Sequence, residues 1–105
     1  MFIQLNSLTN EKLKESLGER PGYFKLFFDT EGCGCNGVIV IQIISEPNAT
    51  DIEVQKKPFS FFVDRQQESL FDEWMRLEAD ESYPSFKLSS DSSLFGSNIR
   101  IKDTR

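Results

Sequence analysis

Cys33 and Cys35 sit two residues apart in the run Glu31-Gly32-Cys33-Gly34-Cys35-Asn36-Gly37, and the 105-residue chain has no other cysteine and no histidine. Thiolates are soft, polarisable donors. At Cys-x-Cys spacing a pair can hold a soft metal ion, hold half of an iron-sulfur cluster, or cycle between dithiol and disulfide. The missing histidine removes a Cys₂His₂ zinc site, a Rieske centre, a histidine-ligated haem and a Cys–His nucleophile pair. Two cysteines do not fill a tetrahedral thiolate site from one chain. Across a symmetric dimer they do, each chain giving two sulfurs. Asp29 and Glu31 are carboxylates able to complete an iron site in a monomer, although the spacing singles out neither. A hairpin loop with two inert cysteines is the alternative without chemistry.

Gly32-x-Gly34-x-x-Gly37 also spells the dinucleotide-binding fingerprint. That motif needs a helix to begin at its end, so that the helix N-terminus faces a pyrophosphate. Here Val38-Ile39-Val40-Ile41-Gln42-Ile43-Ile44 follows, which reads as a central strand buried on both faces. The fingerprint is rejected. The glycines are expected to let the chain turn tightly and to leave both sulfurs uncrowded.

The pair must be held by the elements around it. Residues 23–29 alternate, with Phe24, Leu26 and Phe28 on one face and Lys25 and Asp29 on the other, which predicts the strand before the cysteines. Residues 9–17 predict a short helix capped by Thr9, stapled by Leu8 and Leu13 and ended by Gly18. Residues 52–55 and 59–63 predict two strands, 86–88 a short strand, and 97–102 a final strand with Ile99 and Ile101 on one face. Residues 68–78 suit either a helix or a strand. Residues 89–93 predict a solvated serine loop. With no repeats and no second domain, residues 1–105 are one domain, mainly β of α+β class: a compact sandwich or barrel-like antiparallel sheet with one or two short helices.

Composition narrows the partners. The net charge is −5, and residues 68–81 carry six acids against one base. Such a surface repels phosphate backbones and anionic membranes. Ten phenylalanines favour an aromatic core. Phe59, Phe61, Phe62 and Phe71 with Trp74 are therefore assigned to core packing rather than to a base-stacking platform. No apolar run spans a bilayer, and the N-terminus lacks a signal peptide. The expected compartment is the cytoplasm, where thiols stay reduced. A Cys-x-Cys disulfide would close a small, strained and labile ring.

Gly34-Cys35-Asn36-Gly37, between two strands, resembles the Gly-Cys-Ser-Gly motif of the HesB/IscA-like iron-sulfur cluster biosynthesis family. Ile44-x-Glu46-Pro47, Asp51-Ile52, Phe62-Val63-Asp64, Ser69-Leu70 and Phe86-Lys87-Leu88 follow that family's order, so the resemblance covers residues 3–102. It implies a compact β-rich fold and a non-enzymatic carrier of iron or a [2Fe–2S] cluster, working with assembly or recipient proteins. Cys35 carries over by motif as the ligand, with Cys33 an additional thiol. The family's A-type carriers have a Cys-x-Cys pair near the C-terminus, whereas residues 89–103 contain no cysteine. A homodimer when loaded is the arrangement expected of two thiols per chain. The alternatives are a thiol redox protein using Cys33 and Cys35, and a metal-free interaction module with the same fold.

Overall fold

Alternating side chains build the strand that leads into the cysteine run. In a computed structural model, which describes residues 1–30 and 37–105, strand β2 (Tyr23–Asp29) turns Phe24 and Leu26 into the core. Tyr23, Lys25 and Phe27 take the opposite face, as the two-residue period of a strand requires. Strand β3 (Val38–Ile44) pairs antiparallel with β2 from Tyr23↔Ile44 to Asp29↔Val38, so the two form a hairpin. Both strands span the expected residues. The expectation that β3 is buried on both faces is corrected. Ile41 and Ile43 are buried, whereas Val38 is half exposed, because only one face of this sheet looks onto the core.

Strands β4 (Asp51–Gln55), β5 (Phe61–Asp64) and β9 (Ile101–Asp103) complete this sheet in the order β4-β5-β2-β3-β9. Strands β1 (Phe2–Leu5), β6 (Trp74–Ala79), β7 (Phe86–Ser89) and β8 (Leu94–Ile99) form a second sheet in the order β1-β6-β7-β8. Among the described residues antiparallel pairings outnumber parallel ones by four to three. The inner faces meet in one core. Phe24 stacks on Phe61 with ring centroids 5.5 Å apart and meets Phe59 edge-on, also at 5.5 Å. Ile3, Met75, Leu77 and Leu88 close the core from the second sheet.

Three local readings change. Helix α1 (Ser7–Leu17) is capped by Asn6 rather than Thr9. The Asn6 Oδ1 accepts the Thr9 backbone N–H at 2.8 Å and the Thr9 hydroxyl at 2.7 Å. The Thr9 hydroxyl is then free to accept the Ala79 N–H at 2.9 Å, which ties the helix to β6. Gly18 ends the helix as expected, with φ of +63° and its N–H on the Lys14 carbonyl. The predicted final strand is two strands, broken at Arg100. Ile99 is buried from β8 in one sheet, and Ile101 packs from β9 in the other. Two apolar residues two apart carry no signal that the chain changes sheets between them.

The ambiguous stretch resolves into a 3₁₀ turn (Arg65–Leu70) followed by β6. Trp74 alternates with buried Met75, so it points outward and is 72% exposed, correcting its assignment to the core. Phe61, Phe62 and Phe71 are buried as expected, and with Trp74 in the other sheet the aromatic run forms no shared platform. The serine loop is also less solvated than expected. Ser89 and Ser90 are buried, and the hydroxyls of Ser90 and Ser92 both donate to the Asp72 carboxylate.

Candidate metal centre

Cys33, Cys35 and Glu31 lie outside the described residues. The described structure fixes the two ends of the connection that carries them. The last rung of the hairpin is Asp29↔Val38, and residues 30–37 join its strands. Gly37 re-enters β3 with φ of +105°. A Cβ there would lie 2.8 Å from Phe28 Cζ and 3.1 Å from the Asp29 carbonyl oxygen. Gly37 is therefore required twice, once for its backbone conformation and once for the ring packed against it. Gly32 and Gly34, expected to serve the same turn, lie outside the described residues. Val38 opens a strand and not a helix, which agrees with rejection of the dinucleotide fingerprint.

The other end is held by a residue that sequence reasoning missed. The β2–β5 ladder pairs Leu26 with Val63 as its last rung. Beyond it, the Gln67 side chain acts as a further rung. Its Oε1 accepts the Phe28 N–H at 2.9 Å, and its Nε2 donates to the Phe28 carbonyl at 3.0 Å. Both backbone groups of Phe28 are thereby satisfied where the sheet ends, so β2 keeps its direction up to the cysteine run. A glutamine in the polar run Arg65-Gln66-Gln67-Glu68 carries no sequence signal of this task. Gln55 does the same between the sheets, accepting the Ile3 N–H at 2.7 Å and donating to the Ile3 carbonyl at 3.1 Å.

The outward face of the five-stranded sheet is covered over only part of its area. Strand β3 runs antiparallel to β2, and β4 runs antiparallel to β5, while β2 and β5 are parallel. Hence β3 and β4 point the same way, with two strands between them. Residues 45–50 must cross β2 and β5 to join them. The inner face is filled by the core, so this strap passes over the outer one. Its cover accounts for an otherwise odd pair of facts. Lys25 and Phe62 point outward, yet Lys25 is 4% exposed and Phe62 is 8% exposed. Under the strap Lys25 Nζ lies 2.8 Å from Asp51 Oδ1 and 5.1 Å from the centre of the Phe27 ring. The other Asp51 oxygen accepts the Asn48 N–H at 2.7 Å, fixing the strap to its own ion pair. Nearer the cysteine run the face is open. There Phe27, Asp29, Thr30, Gln42, Gln67 and Lys102 line a shallow cleft of about 530 Å³. Among the described residues no three Asp, Glu, Cys or His side chains cluster to hold a metal, so the described carboxylates form no centre of their own.

A hairpin with a glycine-flanked cysteine connection, set in a two-sheet β-rich fold, is the arrangement expected from the HesB/IscA resemblance. The sequence pattern of the iron-sulphur cluster biosynthesis family matches residues 1–103. The chain belongs to that family. Its fold agrees with solved relatives. A Lactobacillus salivarius protein assigned to Fe-S biosynthesis, described as having a novel fold, superimposes with a TM-score of 0.77 at 16% identity, covering 98% of this chain and 98% of that one. A Lactobacillus acidophilus protein with the same assignment gives 0.77 at 14% identity, covering 98% and 90%. SufA of Escherichia coli, involved in biosynthesis of iron-sulfur clusters, gives 0.60 at 18% identity, covering 90% and 92%. No curated protein sequence matches. Where A-type carriers of the family place their second cysteine pair, this member has the end of β7, the serine loop, β8 and β9, with no cysteine in residues 89–103. Among the described residues no helix is long and apolar enough to cross a membrane.

Proposed function

We propose that this protein is a non-enzymatic carrier of iron or a [2Fe–2S] cluster, acting in the cytoplasm, with Cys35 as the principal ligand and Cys33 as the second. The observation that carries this reading is family membership over residues 1–103, joined to the position of the only two cysteines on the connection of the β2–β3 hairpin. Cys35 is the motif-matched residue. Cys33 stands beside it in a chain that lacks the C-terminal pair.

The cargo is iron, with or without sulfide, and it reaches the chain as a substrate. Both thiols lose their protons on binding, because thiolate is the ligating form. Release follows ligand exchange. A cysteine thiolate of the recipient forms a new iron–sulfur bond as a bond to Cys33 or Cys35 breaks, and the departing sulfur takes up a proton. No oxidation state changes in this step. A cluster takes about four protein ligands, so two thiols per chain call for a loaded two-fold dimer.

Anaerobic incubation with ferrous iron and sulfide tests the reading. Colour and bound iron with acid-labile sulfide are expected. The alternative with a specific feature behind it is a redox role for the Cys-x-Cys pair. A measurable dithiol potential without metal affinity would favour that alternative. Neither property would leave the interaction module.

A further inference from the structure

We infer that the outer face of the four-stranded sheet, centred on the Phe2–Trp74 ring pair, docks a basic segment of another protein, with an arginine or lysine side chain laid on the Trp74 indole and its charge turned toward Glu73. The inference is independent of the carrier reading above.

Register builds this face. Phe2 pairs with Trp74 on the parallel β1–β6 ladder, and Ile3 and Met75 turn inward beside them, so both rings point out. Their centroids lie 5.0 Å apart with the planes tilted by 53°. The rungs Arg76↔Ser89 and Ser89↔Leu94 carry the same face across to β8, where Leu94 is exposed as well. Phe2 is 45% exposed, and Trp74 is the most exposed large apolar side chain among the described residues. Helix α1 is tied to the other end of β6, at Ala79, and leaves both rings open.

Charge selects the occupant. Residues 68–81 carry six acids against one base. That base, Arg76, is already paired with Asp91 at 2.9 Å. Glu73, next to Trp74, lies 3.5 Å from the Met1 amine, yet its side chain is 85% exposed. Among the described residues Asp72 meets the hydroxyls of Ser90 and Ser92 and no cation. An open indole beside such carboxylates attracts a cation twice, through the ring quadrupole and through the acid. The same carboxylates repel nucleic acid and anionic membranes. A second copy would bring the same acids face to face. Arginine fits better than lysine, because its planar guanidinium stacks on a ring and still donates to a carboxylate.

Fluorescence anisotropy of a dye-labelled peptide of alternating arginine and glycine tests the surface. Saturable binding is expected, weaker when lysine replaces arginine and lost when uncharged citrulline replaces it. Trp74 is the only tryptophan, so its emission should change with the same midpoint. Trp74→Ala should raise the dissociation constant about fivefold, and Glu73→Gln about threefold, with circular dichroism unchanged. Tyr83→Ala and Glu81→Gln, which remove an exposed ring and an exposed acid between β6 and β7, should bind as wild type does. Equal losses in Glu73→Gln and Glu81→Gln would mean diffuse attraction to an acidic surface and would overturn the proposal. Binding that Trp74→Ala leaves intact, or no binding by wild type, overturns it too. Wild type that sediments as a dimer while Trp74→Ala is monomeric would give the face to a second copy instead.

Discussion

At the scale of single residues, Gly37 and Gly18 show how alike two glycines look in sequence and how differently they are used. Both have positive φ, but a Cβ on Gly18 meets nothing within 4 Å, whereas one on Gly37 meets the Phe28 ring at 2.8 Å. Gly18→Ala should cost only the strain of a backbone conformation that L-residues rarely adopt, φ +63° with ψ −139°, about 1–3 kcal/mol. Gly37→Ala adds a collision in packed surroundings, worth a further ~1–3 kcal/mol. Urea unfolding of both variants measures the difference. Equal costs would mean that Phe28 yields freely and does not brace the cysteine connection. The need for glycine after Cys35 was legible in the sequence. The ring that makes it strict was not, because nothing in a linear pattern says that Phe28 leans toward Gly37. Gln67 was invisible for the same reason, since its partner lies 39 residues away.

At the scale of elements, β2 and β3 were legible from alternation and β-branching alone. Sheet membership was not. The break at Arg100 and the strap of residues 45–50 follow from long-range pairing, which apolar periodicity does not encode. The strap changes what Lys25 is: its place in the alternation is that of an outward residue, and the crossing chain buries it with Asp51. Removing one partner strands the other as a buried charge. Lys25→Met and Asp51→Asn should each destabilise by about 3–5 kcal/mol. The double variant strands no charge, so its cost should fall clearly below the sum of the singles. Denaturant unfolding of the four proteins closes this cycle. Additive costs would show that the pair is not the unit that holds the strap.

At the scale of the whole molecule, Arg105 ties the last helical turn to the residues after β9 and holds one carboxylate, Asp103, in its charged form. Its guanidinium donates to the carbonyls of Leu17 and Arg20 at 2.8 and 2.9 Å and to Asp103 Oδ2 at 2.8 Å. Hydrogen bonds from Arg105 hold the Asp103 carboxyl at about 2, below its ordinary 3.8. A carboxylate depressed in the folded state contributes stability above its unfolded value, and that contribution is lost as pH falls through the folded one. The window is therefore from about 3.8 down to about 2. In Arg105→Gln the decline of the urea midpoint across this window should be shallower than in wild type. An identical decline would remove Asp103 from the acid limb.

The family was legible at this scale too, because the order of short motifs survives where overall identity to solved relatives is 14–18%. The ligand set was not, since the C-terminal thiols of related carriers are missing and Cys33 has no counterpart in the motif. The most direct measurement is therefore iron and acid-labile sulfide per chain after anaerobic loading, in wild type, Cys35→Ser and Cys33→Ser. Serine keeps the shape of cysteine but offers a hard, poorly ionised oxygen to a soft site. Wild type should retain iron, Cys33→Ser should retain less, and Cys35→Ser should retain none. Undiminished iron in Cys35→Ser would contradict the central assignment.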